Sequence, residues 1–147
     1  MVEKAQMFSE AFACAGVKEL PVTVTAVEPC EVMFIDSNRI LYTCSNCCVF
    51  HQSMIYNLMR NLAEKTILFH QKMEITSKRS TREKLLTFLM YYSKQTGSNS
   101  FSIPYDRQEL ADYLGVERSG LSAEISKLRQ EGVLESNKKI FKLLNKI

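Results

Sequence analysis

No stretch of this chain approaches the ~20 consecutive apolar residues that a membrane-spanning helix needs, and the opening MVEKAQMF lacks the uninterrupted apolar core of a signal peptide. A cytoplasmic location is expected. Catalytic signatures are equally scarce: there is no Gly-rich phosphate loop, no G-x-S-x-G and no H-E-x-x-H, and Ser, His and Asp fall into no recognisable catalytic arrangement. The chain is therefore not expected to be an enzyme. Five cysteines, an odd number in a chain without export signals, point to reduced thiols rather than a disulfide framework.

What is present suits one or two small globular domains: 147 residues, of which 46% are apolar, are enough for a real core. The net charge of +3 divides unevenly along the chain. From Lys78 onward there are 13 Lys and Arg against 8 Asp and Glu, leaving 6 against 8 before it. A positive excess confined to the C-terminal half suits approach to phosphate there.

That half contains DRQELADYLGVERSGLSAEISKLRQEGVL, from Asp106 to Leu134, which reads as two short helices joined by a glycine turn. Asp106 with Glu109 forms a capping-box pattern, and Leu110, Ala111 and Leu114 recur at helical spacing. Gly115 can adopt the left-handed conformation that ends the helix, and Val116 plugs the corner. The second helix starts near Arg118, buries Leu121, Ile125 and Leu128, and stops at Gly132. Its opposite face carries Ser119, Ala123, Ser126 and Gln130, with Ser122 and Lys127 on the flanks. A small, polar face led by a first-turn arginine is what the DNA major groove accepts. A packed helical pair without DNA is the alternative.

In the N-terminal half, PVTVTAV and CEVMFI alternate and are rich in β-branched residues, which predicts two antiparallel strands between Leu20 and Ile35 turning at Glu28 and Pro29. Such a pair must pack on something else to be stable. Asp36 and Ser37 can cap a short helix that runs into Cys44, Cys47, Cys48 and His51. A C-x-x-C-C run without a second C-x-x-C pair is a weak metal signal, so ordinary packing is expected of this cluster and metal or redox sensing is the alternative. Cys14 and Cys30 are expected to be small buried residues.

From His51 to about Ser77 there is neither Gly nor Pro, and Ile55, Leu62 and Phe69 repeat every seven residues. A helix that long exposes more apolar surface than so small a domain covers, which predicts a partner helix across Ile55, Leu58, Leu62 and Phe69; Lys65 and Lys72 at the other seam position argue against a strict coiled coil. Ser80 and Glu83 offer a second capping box for REKLLTFLMYYSKQTG. SNSFSIPY then reads as a short strand ended by Pro104, and VLES with IFKLL as a hairpin tipped by Asn137, Lys138 and Lys139. Helix, strand, helix-turn-helix and hairpin together describe a winged helix within an α+β chain.

The segment RQELADYLGVERSGLSAEISKLRQEGVL, preceded by TREKLLTFL and a long helix, resembles the Crp/Fnr family of bacterial transcription regulators, most closely from about Arg82 to Leu144. The resemblance implies an order of parts: a partial cyclic-nucleotide-binding-type β-roll over residues 1–50, a dimerisation helix over 51–78 and a winged-helix DNA-binding domain over 79–147. It implies sequence-specific DNA binding as a homodimer, with RNA polymerase as a further partner. DNA contacts then fall on Arg118, Ser119, Gly120, Ser122 and Ala123, with Gln108, Lys138, Lys139 and Arg82 approaching the backbone. Ser119 and Ala123 depart from the acidic residue and second arginine of well-studied members, and Glu117 replaces a small cap that contacts phosphate. Cyclic-nucleotide-binding members carry a Gly-Glu pair and an Arg-Ser or Arg-Thr pair. Here Ala5 and Gln6 precede MFSE and LPVTV offers no arginine, so neither cyclic AMP nor any other cofactor is expected. A truncated module that forms mixed dimers without binding DNA is the competing reading.

Overall fold

The computed structural model describes residues 6–42 and 48–144. The chain divides into two compact units, Met1–Leu68 and Phe69–Ile147, with one long helix running through the division. The first unit holds α1 (Glu10–Cys14), α2 (Ser37–Leu41) and the start of α3 (Val49–Thr76). α1 runs into Gly16, which takes a positive φ, and Asp36 accepts from the Asn38 amide to cap α2, as the sequence predicts.

The predicted strand pair between Leu20 and Ile35 does not form. This stretch has no regular secondary structure, and Val22, Val24, Met33 and Phe34 are all exposed. The reason is energetic: two short strands bury too little apolar surface to offset their ordering unless a third strand or a helix covers them, and none does among the described residues. Cys30 is likewise exposed and Cys14 only half-buried, contrary to the buried positions expected of them.

α3 occupies nearly the span expected of it, 28 residues or ~42 Å. Its faces differ from the expected seam. Leu58 is buried within its own chain, Ile55 and Leu62 are half-buried, and Phe69 is exposed. On the face that carries Leu58, Lys65 donates to the Met7 carbonyl at 2.6 Å and pairs with Glu10. Contrary to the expectation, Leu58 does not face a partner, because a side chain already covered by its own chain has no apolar area left to offer.

The second unit adds α4 (Thr81–Thr96), β1 (Ser100–Ser102), α5 (Arg107–Leu114), α6 (Arg118–Gln130), β2 (Leu134–Asn137) and β3 (Ile140–Leu143). Ser80 and Glu83 close the capping box of α4, and Gly97 ends it in the left-handed conformation. The three strands form an antiparallel sheet in the order β1-β3-β2, with Phe101 opposite Phe141 and Glu135 opposite Lys142. That last pair also makes an ion pair at 3.2 Å across the strands. One core joins Ile75 of α3 to Leu85, Phe88 and Leu89 of α4, Leu110 and Leu114 of α5, Leu121, Ile125 and Leu128 of α6, and Leu134 and Phe141 of the sheet. Phe88 lies at its aromatic end, 4.9 Å from the Tyr92 ring and 5.4 Å from Tyr113.

Candidate nucleic-acid interface

The helix-turn-helix forms where the sequence places it. Asp106 accepts from the Glu109 amide at 2.9 Å while the Glu109 carboxylate receives the Asp106 amide at 2.6 Å, so two otherwise unpaired backbone donors are satisfied at the start of α5. Gly115 closes α5 with φ 61°, and Val116, half-buried, packs against the core at the corner. α6 then turns Leu121, Ile125 and Leu128 inward and leaves Arg118, Ser119, Gly120, Ser122 and Ala123 exposed together on its first turns. Farther along, the Ser126 hydroxyl donates to the Ser122 carbonyl at 3.0 Å, which turns that side chain back onto the helix.

Glu117 stands at the N-cap of α6 with extended backbone, yet its side chain makes no capping hydrogen bond. The first amides of α6 thus have no side-chain acceptor from the cap position. Lys127 and Arg129 lie in the last turn, where positive charge complements the helix dipole.

Around this face the cations are distributed unevenly. Lys138 and Lys139 form the two-residue tip between β2 and β3, both exposed, with Lys138 at φ 52°. Lys139 donates to the Pro104 carbonyl at 2.7 Å, which ties the wing tip to the loop before α5. Arg107, at the first position of α5, was not among the residues singled out from sequence. Burial, followed by the charge of Arg118, lowers the Arg107 pKa, and its guanidinium lies 5.8 Å from the Phe141 ring centre. Asp106 is held below the usual carboxylate range first by the Glu109 amide, with help from Lys139 and Arg118. Arg118 acts on both Arg107 and Asp106, and Lys139 on Asp106, so these cations lie within electrostatic reach of the N-terminus of α5. The sequence signal for Arg107 was its place directly after the cap residue.

Two other residues expected at the backbone are engaged within the chain. Gln108 donates to the Asp112 carboxylate at 2.9 Å, one turn along α5. Arg82, near the start of α4, forks onto Glu131 through Nη1 at 3.1 Å and Nη2 at 2.5 Å, and its Nη1 also lies 3.4 Å from Glu124. The hydrogen bond to Glu131 raises the Arg82 pKa, and the same bond lowers that of Glu131.

In the cysteine cluster, Cys44 and Cys47 lie outside the described residues. His51 donates from Nε2 to the Arg39 carbonyl at 2.8 Å. Among the described residues no group of three His, Cys, Asp or Glu side chains could hold a metal ion, and no helix is long and apolar enough to cross a membrane.

A three-helix core with a C-terminal β-hairpin, its last helix exposing a polar face, defines a winged helix-turn-helix domain. Residues 83–146 match the family profile of the Crp-like helix-turn-helix domain. The chain is also 27% identical, over 132 residues and 86% of its length, to the transcriptional activator protein FnrA of Stutzerimonas stutzeri. It spans 52% of that relative, about half its length. The C-terminal part thus carries a Crp-like helix-turn-helix domain, the resemblance seen in the sequence, on an α+β chain.

Proposed function

We propose that this chain is a DNA-binding transcription regulator of the Crp/Fnr type, which inserts α6 in the major groove and acts as a homodimer. The observation that carries the reading is the face of α6: Arg118, Ser119, Gly120, Ser122 and Ala123 are exposed side by side, small enough for the groove, with Arg107, Lys138 and Lys139 available for phosphate. Arg118 reads a base edge, and Lys138 and Lys139 meet the backbone beside it. The naming of FnrA as a transcriptional activator supports the same class of function.

The homodimer is supported by α3. Tyr56, Met59, Ile67 and Met73 are each more than half exposed and fall on one side of the helix, an apolar strip interrupted by Thr66 and His70 that a second α3 would cover. Ile55, Leu62 and Phe69 border this strip, so most of the seam expected from the sequence lies at its edge. A two-fold dimer then presents two copies of α6 to half-sites one helical turn, ~34 Å, apart. Titrating the chain into a fluorescein-labelled duplex at several salt concentrations tests the reading. A salt-sensitive complex is expected, and dimers that form no such complex would instead favour the mixed-dimer module.

A further inference from the structure

We propose that Arg82 positions the recognition helix α6 rather than contacting DNA phosphate, an inference that rests on the DNA-binding reading above. α6 has an unusual anchorage. Its N-cap, Glu117, supplies no side-chain hydrogen bond, so the end that enters the groove is not fixed by a cap. At the other end the Arg82 guanidinium grips the Glu131 carboxylate with both of its terminal nitrogens and touches Glu124 two turns earlier. Glu131 is the C-cap residue of α6, and Arg82 belongs to the first turn of α4. The fork therefore joins the tail of the recognition helix to the head of the helix beneath it.

Single ion pairs at a surface contribute little, but this one has two-pronged geometry and a second carboxylate, the circumstances in which such pairs do hold structure. Its charge is also spent: two carboxylates surround one guanidinium, leaving no net positive charge to draw a phosphate. Beside Glu131 the last turn is closed by the bonds from the Glu131 amide to the Lys127 carbonyl, from Gly132 to Arg129 and from Val133 to Leu128. These bonds sit where α6 hands over to β2. Loosening the fork lets this junction open and the helix tilt on its core stripe of Leu121, Ile125 and Leu128.

The two roles for Arg82 predict opposite outcomes. In the full chain, Arg82→Gln and Glu131→Gln are each expected to lower amide-exchange protection at Glu131, Gly132 and Val133 by about two- to fivefold, the range one such pair supplies, leaving Leu85 and Leu89 unchanged. Affinity is read with the duplex that the wild-type chain selects from a random-sequence library, at about 0.2 M salt to screen long-range attraction. Both variants are expected to bind it more weakly, with the salt dependence unchanged. Tighter binding by Glu131→Gln with a salt slope steeper by about 0.9, the signature of one freed phosphate contact, would overturn the proposal. So would unchanged protection in Arg82→Gln. If the wild-type chain selects no duplex, the DNA-binding reading fails by itself, and the amide protection still decides whether Arg82 holds α6.

Discussion

The Lys72 ammonium lies over the ring of Tyr113, 3.5 Å from its centre, and donates to the Tyr113 carbonyl as well. Lys72 belongs to α3 and Tyr113 to the last turn of α5, so one lysine both stacks on the helix-turn-helix and serves a carbonyl that α5 itself leaves unpaired. Lys84 of α4 adds a bond to the Gly115 carbonyl at 3.3 Å. Burial, and then the charge of Lys84, lowers the Lys72 pKa. Replacing Lys72 with methionine keeps the stem but loses both contacts, and is expected to destabilise the C-terminal unit by about 0.5–1 kcal/mol, the cation–π range for an accessible site. Urea unfolding followed by circular dichroism measures this; Lys72→Arg should recover most of the loss.

Alkaline pH attacks the same region through its tyrosines. Burial pushes Tyr92 up to about 12, and Tyr113 is raised by burial and then by Tyr105. A group whose pKa is raised by folding holds more protons in the folded state, so its stabilisation is complete below its unfolded value near 10 and fades as pH climbs toward 12. Lys72, lowered by folding, works in the opposite direction just below its own unfolded value. The tyrosines are expected to dominate: the denaturation midpoint should fall between pH 10 and pH 12, with tyrosinate absorbance rising as the unit unfolds. Tyr92→Phe should flatten that fall.

Gly115 has φ 61°, and a Cβ built there meets nothing within 4 Å. An alanine therefore pays only for the left-handed backbone, roughly 1–2 kcal/mol. For a domain of this size such a loss lowers the melting temperature by about 4–8 °C per kcal/mol, which calorimetry resolves.

Gly120 presents the contrary case. It sits inside α6, where a Cβ would lie 4.0 Å from that of Glu117, an ordinary contact. Gly120→Ala is expected to raise stability by about 0.5–1 kcal/mol, since glycine is the costlier residue within a helix. The same methyl group projects from the exposed reading face and should weaken duplex binding. A variant that melts higher yet binds less well would mark this position as kept open for the groove.

On α3, two neighbouring substitutions should separate folding from assembly. Leu58→Ala empties a buried site and is expected to cost about 2–5 kcal/mol of stability. Met59→Glu places a charge on the exposed strip and should shift sedimentation from dimer toward monomer with little change in the melting of the single chain.

The C-terminal elements were legible because their signals are local. Asp106 with Glu109, Ser80 with Glu83, Gly97, Gly115 and the Leu121–Ile125–Leu128 stripe each fix a cap, a stop or a buried face from residues a few positions apart. What was missed depends on partners distant in sequence. The alternation in Leu20–Ile35 reads as strands, but a strand exists only with a neighbour to pair with. Heptad spacing puts Leu58 on a seam, yet it cannot say which side of a helix its own chain already covers. Arg82 looked like a free cation because Glu131 lies 49 residues away. Arg107 gained its place at the site from Arg118 and Phe141, neither adjacent to it.

Arg118 bears most directly on the reading as a whole. With the duplex selected by the wild-type chain, Arg118→Ala should lose about 1–3 kcal/mol of binding to that sequence while keeping its melting temperature and most of its affinity for unrelated DNA. Unchanged affinity for the selected duplex would contradict the assignment of α6 as the helix that reads the groove.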